Sequence, residues 1–570
     1  MSDYGLVAAV APEFFLGTAV LLVGFVLGLW DRDVTGRWIV AHLVLLALAL
    51  HGLPGLVEPH PRFPTAWLHV GFADHIAQHG TLLDKFDARF NWAGFFSGVA
   101  LLERAAGTQS ALWLVRFTPV GVNLFACWAI MLIGRSIGIE RRQAAFAAGL
   151  FLVVNWSGQD YFSPQATAFC LYTVVLAVVL AIYSRSSRIP EPCPVRSIAH
   201  PGAARYPLLA KLYAALKAFY GEANERSRSS HEPPVADRAK RLGLAGVGTV
   251  AVAVAMSHQL SPFFLTSALM LLAVTGVSRL RALPVAVLVV TLAWISFAAE
   301  PYWTGHLQEL TSSVGRITDL AQRNVGVRLA TTNTGHAAAV MARIVLAASV
   351  WLGAVLVLAL SLAAAFVHRR RAPLALPCLF IAPFPLFFLQ AYGGEMVIRV
   401  FLFSLPPAVL AIALAAVPRS RVPGIFRRGL PGVVLAAVVP LFLLARYGNE
   451  AFERVDDDDR RVVAALLNMA PPGSTVYVLN PHTLLHSGRV ADVRFSRLRA
   501  VSGGDVETLL QDAPGTDKFL LLTEGQEAYG EMVEGRPNGW VDDLAQDLDV
   551  SDELELSIQS GDSRVYRVRP

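Results

Sequence analysis

Apolar residues along this chain gather in runs. About twelve such runs stand near 13–30, 38–55, 112–134, 143–156, 166–184, 243–258, 263–278, 282–299, 338–366, 374–391, 400–417 and 430–446. Runs of roughly 17 to 25 apolar residues are long enough for a helix to cross a hydrocarbon core. The pattern predicts a mainly α protein, a polytopic transmembrane bundle of about twelve spans. The connecting stretches sort by charge, because Lys and Arg accumulate on the cytoplasmic side. One alternate set is basic: Arg32 and Arg37; Arg135, Arg141 and Arg142; the segment 185–242; Arg279 and Arg281; Arg369 to Arg371; and Arg419, Arg421, Arg427 and Arg428. The opposite set comprises 56–111, 157–165, 259–262, 300–337, 392–399 and everything after 446, without comparable basic excess. The expected topology places the N-terminus and the C-terminal tail outside the cytoplasmic membrane.

Two segments depart from the run-and-loop pattern. Residues 185–242, rich in Pro, Ser and Arg, read as a cytoplasmic linker with one amphipathic stretch at 206–220 that could lie on the inner leaflet. A flexible linker is the equal alternative. Residues 1–446 thus form a transmembrane domain, and 447–570 a separate outer one. There, Asp456 to Asp459 lead into a helical pattern through Val462, Val463, Leu466 and Leu467, with the acids favouring a helix start. After Pro471-Pro472-Gly473, strands are expected at Thr475–Leu479, Lys518–Leu522, Leu554–Ile558 and Val565–Val568. This is a small α/β domain without a dinucleotide or P-loop motif.

Composition narrows the class. Across 570 residues, 54% are hydrophobic, 16% are charged, and the mean hydropathy is +0.50. Soluble chains carry about 25% charge. A soluble enzyme, a disordered chain and a fibrous repeat are excluded. The net charge of +5 would suggest nucleic acid in a soluble protein, but here the basic residues follow the loops, so no nucleic-acid partner is expected. The four cysteines lack metal or disulfide spacing and read as free thiols. A net acidic head before the first run argues against a cleavable signal peptide.

Polar residues that solvation does not explain carry the information in a membrane chain, and they cluster in the outward loops. In 56–111, Pro64 to Gly80 predicts a helix lying at the membrane surface, carrying His69, Asp74, His75 and His79. His75 and His79 share a face, but Ile76 stands where a zinc protease has Glu, and solvated histidines are the plainer reading. The mixed charged and aromatic stretch Asp84 to Trp92 suits carbohydrate. The loop Asn155 to Gln165 is dense in hydrogen-bonding groups, including Asp160 and Tyr161, with a capped, Pro-started helix as its alternative. His258 stands at a helix end. In 300–337, Arg316, Arg323 and Arg328 go against the charge preference, and either bind an anion or pair with Asp319 or Glu309. Glu395 and Arg399 are four apart and can share a helix face; Arg399 either pairs internally or holds a lipid phosphate.

Many spans, a long first outward loop with a surface helix, and an outer tail beginning Phe452 to Tyr477 together resemble the GT-C glycosyltransferases, which use polyprenyl-phosphate sugars. The chain also looks like multi-pass envelope proteins of actinobacteria. The resemblance implies transfer of a sugar from a polyprenyl-phosphate donor to a glycan or glycolipid acceptor at the outer face of the bilayer. A base removes the proton of the acceptor hydroxyl, positive character develops at the anomeric carbon, and a lipid phosphate leaves. Asp74 or Asp160 would be the catalytic base. Arg399 with Glu395, and Arg323 or Arg316, would hold the phosphate, with His258, Gln165, His69 and Tyr161 lining the substrate site. A divalent cation could do part of that work. One departure stands out: the family usually places an acid early in the first outward loop, where this chain reads Phe63-Pro64-Thr65-Ala66. The nearest acids are Glu58, Asp74, Asp84 and Asp87. An O-antigen-type polymerase or ligase, a lipid or saccharide transporter, and an envelope scaffold remain alternatives.

Overall fold

The structure is a computed structural model that describes residues 4–31, 33–83, 87–184, 237–304, 336–367, 373–388, 395–417, 424–480, 488–498, 506, 510 and 517–569. Its principal helices are α1 (Pro12–Gly28), α2 (Gly36–His51), α3 (Pro64–His79), α4 (Gly94–Ala106), α5 (Thr118–Ser136), α6 (Arg141–Val154), α7 (Pro164–Tyr183), α8 (Asp237–Ser257), α9 (Ser261–Val274), α10 (Leu283–Ala293), α11 (Ala337–Val367), α12 (Ala375–Ile381), α13 (Met396–Ala416), α14 (Ile425–Tyr447), α15 (Asp457–Met469) and α16 (Trp540–Asp549). Among the described residues, six helices are long and apolar enough to cross a membrane: α5, α7, α8, α11, α13 and residues 428–447 of α14. Shorter apolar helices stand at Pro12–Gly28, Gly36–His51, Ser261–Val274, Leu283–Ala298 and Ala375–Phe387. The chain is membrane-embedded. Each of the twelve expected runs contains a helix, the 374–391 run over Ala375–Ile381 with a 3-10 segment at Phe384–Phe388, its last residues lying outside the described ones.

The helix at the fourth run is of another kind. α6 is short and begins Arg141-Arg142, yet every residue from Gln143 to Val154 is buried. It packs against α2, α5, α13 and α14, and so forms the centre of the bundle. Gly149 lets it approach α1: a β-carbon there would stand 2.5 Å from the Phe25 ring. Close approach through small residues is how helices associate where water supplies no driving force.

α3 starts at Pro64, whose missing N–H costs nothing in the first turn, and stops at Gly80, which takes a left-handed φ of 70°. The surface helix expected here is instead an internal one. Apart from Thr65, its residues from Pro64 to Asp74 are buried. Val70 and Phe72 pack with Phe90 and Phe96, while Trp67 joins Val462, Val463 and Val476 of the C-terminal part. A helix wedged between two domains has apolar contacts on both sides, which explains its lack of a clean polar face.

The C-terminal part of the chain holds a sheet of β1 (Thr475–Val478), β2 (Arg494–Arg497), β3 (Lys518–Leu522), β4 (Leu554–Ser560) and β5 (Ser563–Val568) in the order β2-β1-β3-β5-β4. β1 pairs parallel to β2 and β3, whereas β5 pairs antiparallel to β3 and β4. Val462, Val463 and Leu466 of α15 cover one face, and Trp540, Leu544 and Leu548 of α16 the other. The four expected strands are present. β2 carries no hydrophobic run because it is a part-exposed edge strand. The amphipathic stretch at 206–220 lies outside the described residues.

Candidate functional site

The loop between α6 and α7 is the hub of one end of the bundle. It is held at its end by Ser163, whose hydroxyl accepts from the Ala166 amide at 3.2 Å, and by Pro164 at the start of α7. Between these anchors the loop sends side chains to five other elements.

Asp160 makes the densest set of contacts. It is 2% exposed. Arg446 at the end of α14 donates to its two oxygens at 2.9 and 3.0 Å. Asn123 of α5 donates to Oδ2, and His51 Nδ1 at the end of α2 stands 3.4 Å from the same oxygen. Asn155 donates to Asn123 at 2.9 Å, Ser157 donates to Asn155 at 2.8 Å, and Arg446 also donates to the Asn155 carbonyl at 3.3 Å. Burial alone would raise the Asp160 proton affinity. The Arg446 guanidinium and the His51 hydrogen bond outweigh it and hold the carboxyl well below the usual range. A buried ion pair is costly to assemble, and the side chains around Asp160 come from α2, α5 and α14.

A second charged group adjoins it. Arg62 donates to Glu450 Oε1 at 2.9 Å and to Glu453, while its guanidinium lies 5.1 Å from the Tyr447 ring. Asn449 donates to Glu453 at 2.9 Å and accepts from Arg343 at 2.6 Å. Burial, then the neighbouring Glu453 and Glu58 charges, push the Glu450 carboxyl up to about 7 against the opposing pull of Arg62. The Glu58 carboxylate is 9% exposed and makes no described hydrogen bond or ion pair. Next to Arg62, Phe63 has a left-handed φ of 77°, fixed by its amide donating to the Glu453 carbonyl at 2.9 Å. Such backbone in a residue with a β-carbon costs on the order of 1–2 kcal/mol and marks a place the surroundings hold firmly. A cavity of about 30 Å³, room for a water molecule, lies between these groups, lined by His51, Arg62, Arg116, Asp160, Tyr161 and Arg446.

The loop's other residues reach two further groups. The Tyr161 ring stacks 4.4 Å from Phe63 and 5.8 Å from His69, whose Nδ1 bonds the Phe162 carbonyl at 2.9 Å. Burial and the Arg89 charge hold His69 down to about 3, so it is neutral. Gln165 accepts from Arg399 at 2.9 Å, and Arg399 also meets Glu395 at 2.9 Å across one helical turn. Arg399 is 6% exposed. His258 sits close enough for Arg399 to depress it; burial first and then that charge take it to about 3. Its Nδ1 bonds the Ser261 hydroxyl at 2.9 Å, the helix-end arrangement.

The loop therefore joins Asp160, Tyr161, His69, Gln165, His258, Glu395 and Arg399 into one region. Asp74 faces elsewhere. Its Oδ1 accepts from the Ala111 amide at 3.2 Å, and Glu103 stands beside it. Burial raises the Asp74 carboxyl, and burial with the Asp74 charge takes Glu103 up to about 7. Arg316, Arg323 and Arg328 lie outside the described residues. The His75 and His79 rings stack at 4.5 Å. No group of three or more His, Cys, Asp or Glu side chains able to hold a metal ion occurs among the described residues.

His51, Arg62, Arg446, Glu450 and Glu453 belong to the site without having been singled out in the sequence. Two carried a signal: His51 and Arg446 are ionisable residues at the very ends of apolar runs, a position that marks function or pairing.

No family model and no curated protein matches the chain. Among solved structures it is similar to ArnT from Cupriavidus metallidurans bound to undecaprenyl phosphate, at 13% identity and TM-score 0.49, over 94% of this chain and 98% of that one. It is also similar to the arabinofuranosyltransferase AftD from Mycobacteria, at 13% identity and TM-score 0.47, over 94% of this chain; the match spans 40% of AftD. A third is the archaeal oligosaccharyltransferase AglB from Archaeoglobus fulgidus in complex with an inhibitory peptide and a dolichol-phosphate, at 14% identity and TM-score 0.42, over 87% of this chain and 71% of that one.

Proposed function

We propose that the chain is a membrane glycosyltransferase of GT-C type. It moves a sugar from a polyprenyl-phosphate donor to a glycan or glycolipid acceptor at the outer face of the cytoplasmic membrane. The carrying observation is the buried charged region where the outer ends of α2, α5 and α14 meet the 155–165 loop. Apolar helices gain nothing from burying Asp160, Glu450, Glu453, Arg62 and Arg446 together, so a region that does so is explained best by chemistry on a charged substrate.

In this reading the transfer needs a carboxylate at the acceptor and cations at the leaving phosphate. Asp160, held ionised by Arg446, is a weak base but a fixed negative charge suited to the positive character that develops at the anomeric carbon. Glu58, at the entry to the same outward loop and without a described partner, takes the acceptor proton. It also supplies the early acid that Phe63 to Ala66 lacks. Arg399, oriented by Gln165 and Glu395, receives the lipid phosphate. The outer orientation follows from the charge of the alternate loops. A lipid-linked donor on that side needs no nucleotide motif.

The test is transfer by the detergent-solubilised full chain from a panel of undecaprenyl-phosphate-linked pentoses and hexoses. Glu58→Gln should remove activity while melting like the parent. A transferring parent whose Glu58→Gln and Asp160→Asn forms both keep full rate would overturn the assignment of the site. No transfer from any donor in the panel would count against the function.

A further inference from the structure

Beside the charged hub lies a wider groove, about 500 Å³, in the size range of small-molecule sites. It runs between the membrane domain and α15. His60, Trp67, Trp113, Arg116, Arg460 and Leu467 line it, and among the described residues no carboxylate does, although Asp457 adjoins it through His60. Arg116 is fixed by donating to the carbonyls of Gly55 at 2.9 Å, Glu58 at 3.2 Å and Pro59. Arg460 is exposed, and its charge acts on Asp457, but among the described residues no hydrogen bond or close ion pair holds its guanidinium. Trp67 is locked by its indole N–H to the Pro61 carbonyl at 2.9 Å, whereas Trp113 is 57% exposed. His60 crosses to Asp457 at 2.7 Å and ties the groove's two sides together.

Flat indole faces suit the apolar faces of sugar rings, and planar guanidinium groups suit carboxylate or phosphate. The groove shares Arg116 and Pro61 with the small cavity at Asp160, so a ligand seated in it would end next to the hub. We propose that this groove seats an anionic sugar unit of the acceptor glycan, with Trp113 against the ring and Arg460 and Arg116 on its acidic group. The assignment rests on the transferase reading and adds to it the charge of the acceptor.

Tryptophan fluorescence of the full chain in detergent tests this, with hyaluronan tetrasaccharide as the acidic probe and chitotetraose as the neutral one. The acidic probe should bind at least about tenfold more tightly, as expected for a charge-assisted contact. Arg460→Glu should abolish that preference, and Trp113→Ala should weaken both the binding and the quench. Equal binding of the two probes, or an unchanged preference in Arg460→Glu, overturns the proposal. So does displacement of the acidic probe by phosphatidylglycerol nanodiscs and not by neutral ones, which would make the groove a lipid site. Binding is read without donor or turnover. Preserved acidic preference in a chain that transfers no sugar therefore counts against the transferase reading alone.

Discussion

Arg446 donates to both carboxylate oxygens of Asp160, at 2.9 and 3.0 Å, across 286 residues of sequence. Both side chains are almost without solvent, so neither charge has an alternative partner in water. Arg446→Ala should therefore destabilise the bundle by roughly 3–5 kcal/mol, because it strands a buried carboxylate. The double variant Arg446→Met with Asp160→Leu should recover much of the loss. Thermal unfolding in detergent of the two variants checks this; equal damage in both would mean that the pair is not the source.

Asp459 in the C-terminal part behaves in the opposite sense from Asp160. Burial and then the Asp456 charge raise its carboxyl to about 7, although the Ser563 hydroxyl donates to it at 2.6 Å. A carboxyl raised in the folded state favours folding below its unfolded value, near 4, and that contribution fades as pH climbs through 7. Melting of the full chain should fall between pH 5 and pH 8. Asp459→Asn keeps the acceptor for Ser563 and should flatten that slope, with a higher melting temperature than the parent at pH 8.

Gly149 is where α6 meets Phe25. A methyl group there must displace the ring, which is enclosed and cannot swing away. Gly149→Ala should cost about 1–3 kcal/mol by overpacking. Gly17→Ala, with open space around it, should cost nothing of that kind. The difference between their melting temperatures is the measurement.

Arg399 is oriented by Gln165 and Glu395. If it binds the leaving phosphate, Arg399→Ala should lower the transfer rate by about 100-fold or more, as loss of a preorganised donor does elsewhere. Gln165→Ala, which frees the guanidinium without removing it, should cost less and raise the donor KM more than it lowers kcat. Equal rates in Arg399→Ala and the parent would assign Arg399 to internal pairing with Glu395.

Much of this architecture was legible in the sequence because it depends on local periodicity. The apolar runs are where the helices are. Pro64 and Gly80 bound α3, and Lys518–Leu522 is β3 residue for residue. Polar groups at run ends need a reason, and the loops between the runs were searched on that ground. Asp160, Gln165 and Arg399 all came from that argument.

What no local pattern could supply was who meets whom. His51, Arg62, Arg446 and Glu450 are spread over the chain from residue 51 to residue 450, and nothing local in the sequence says which of them meet. Only when α2 and α14 pack against the 155–165 loop do their charges lose water and need one another. The same packing turned α3 from an expected surface helix into an internal wedge. It also separated Asp74 from Asp160, two acids that composition could not tell apart. The sequence by itself determined a membrane-embedded helical chain with a small α/β domain, because burial of apolar runs is a local property. The tertiary structure alone decided which ionisable groups share a low-dielectric site, because that depends on the distances between segments far apart in the chain.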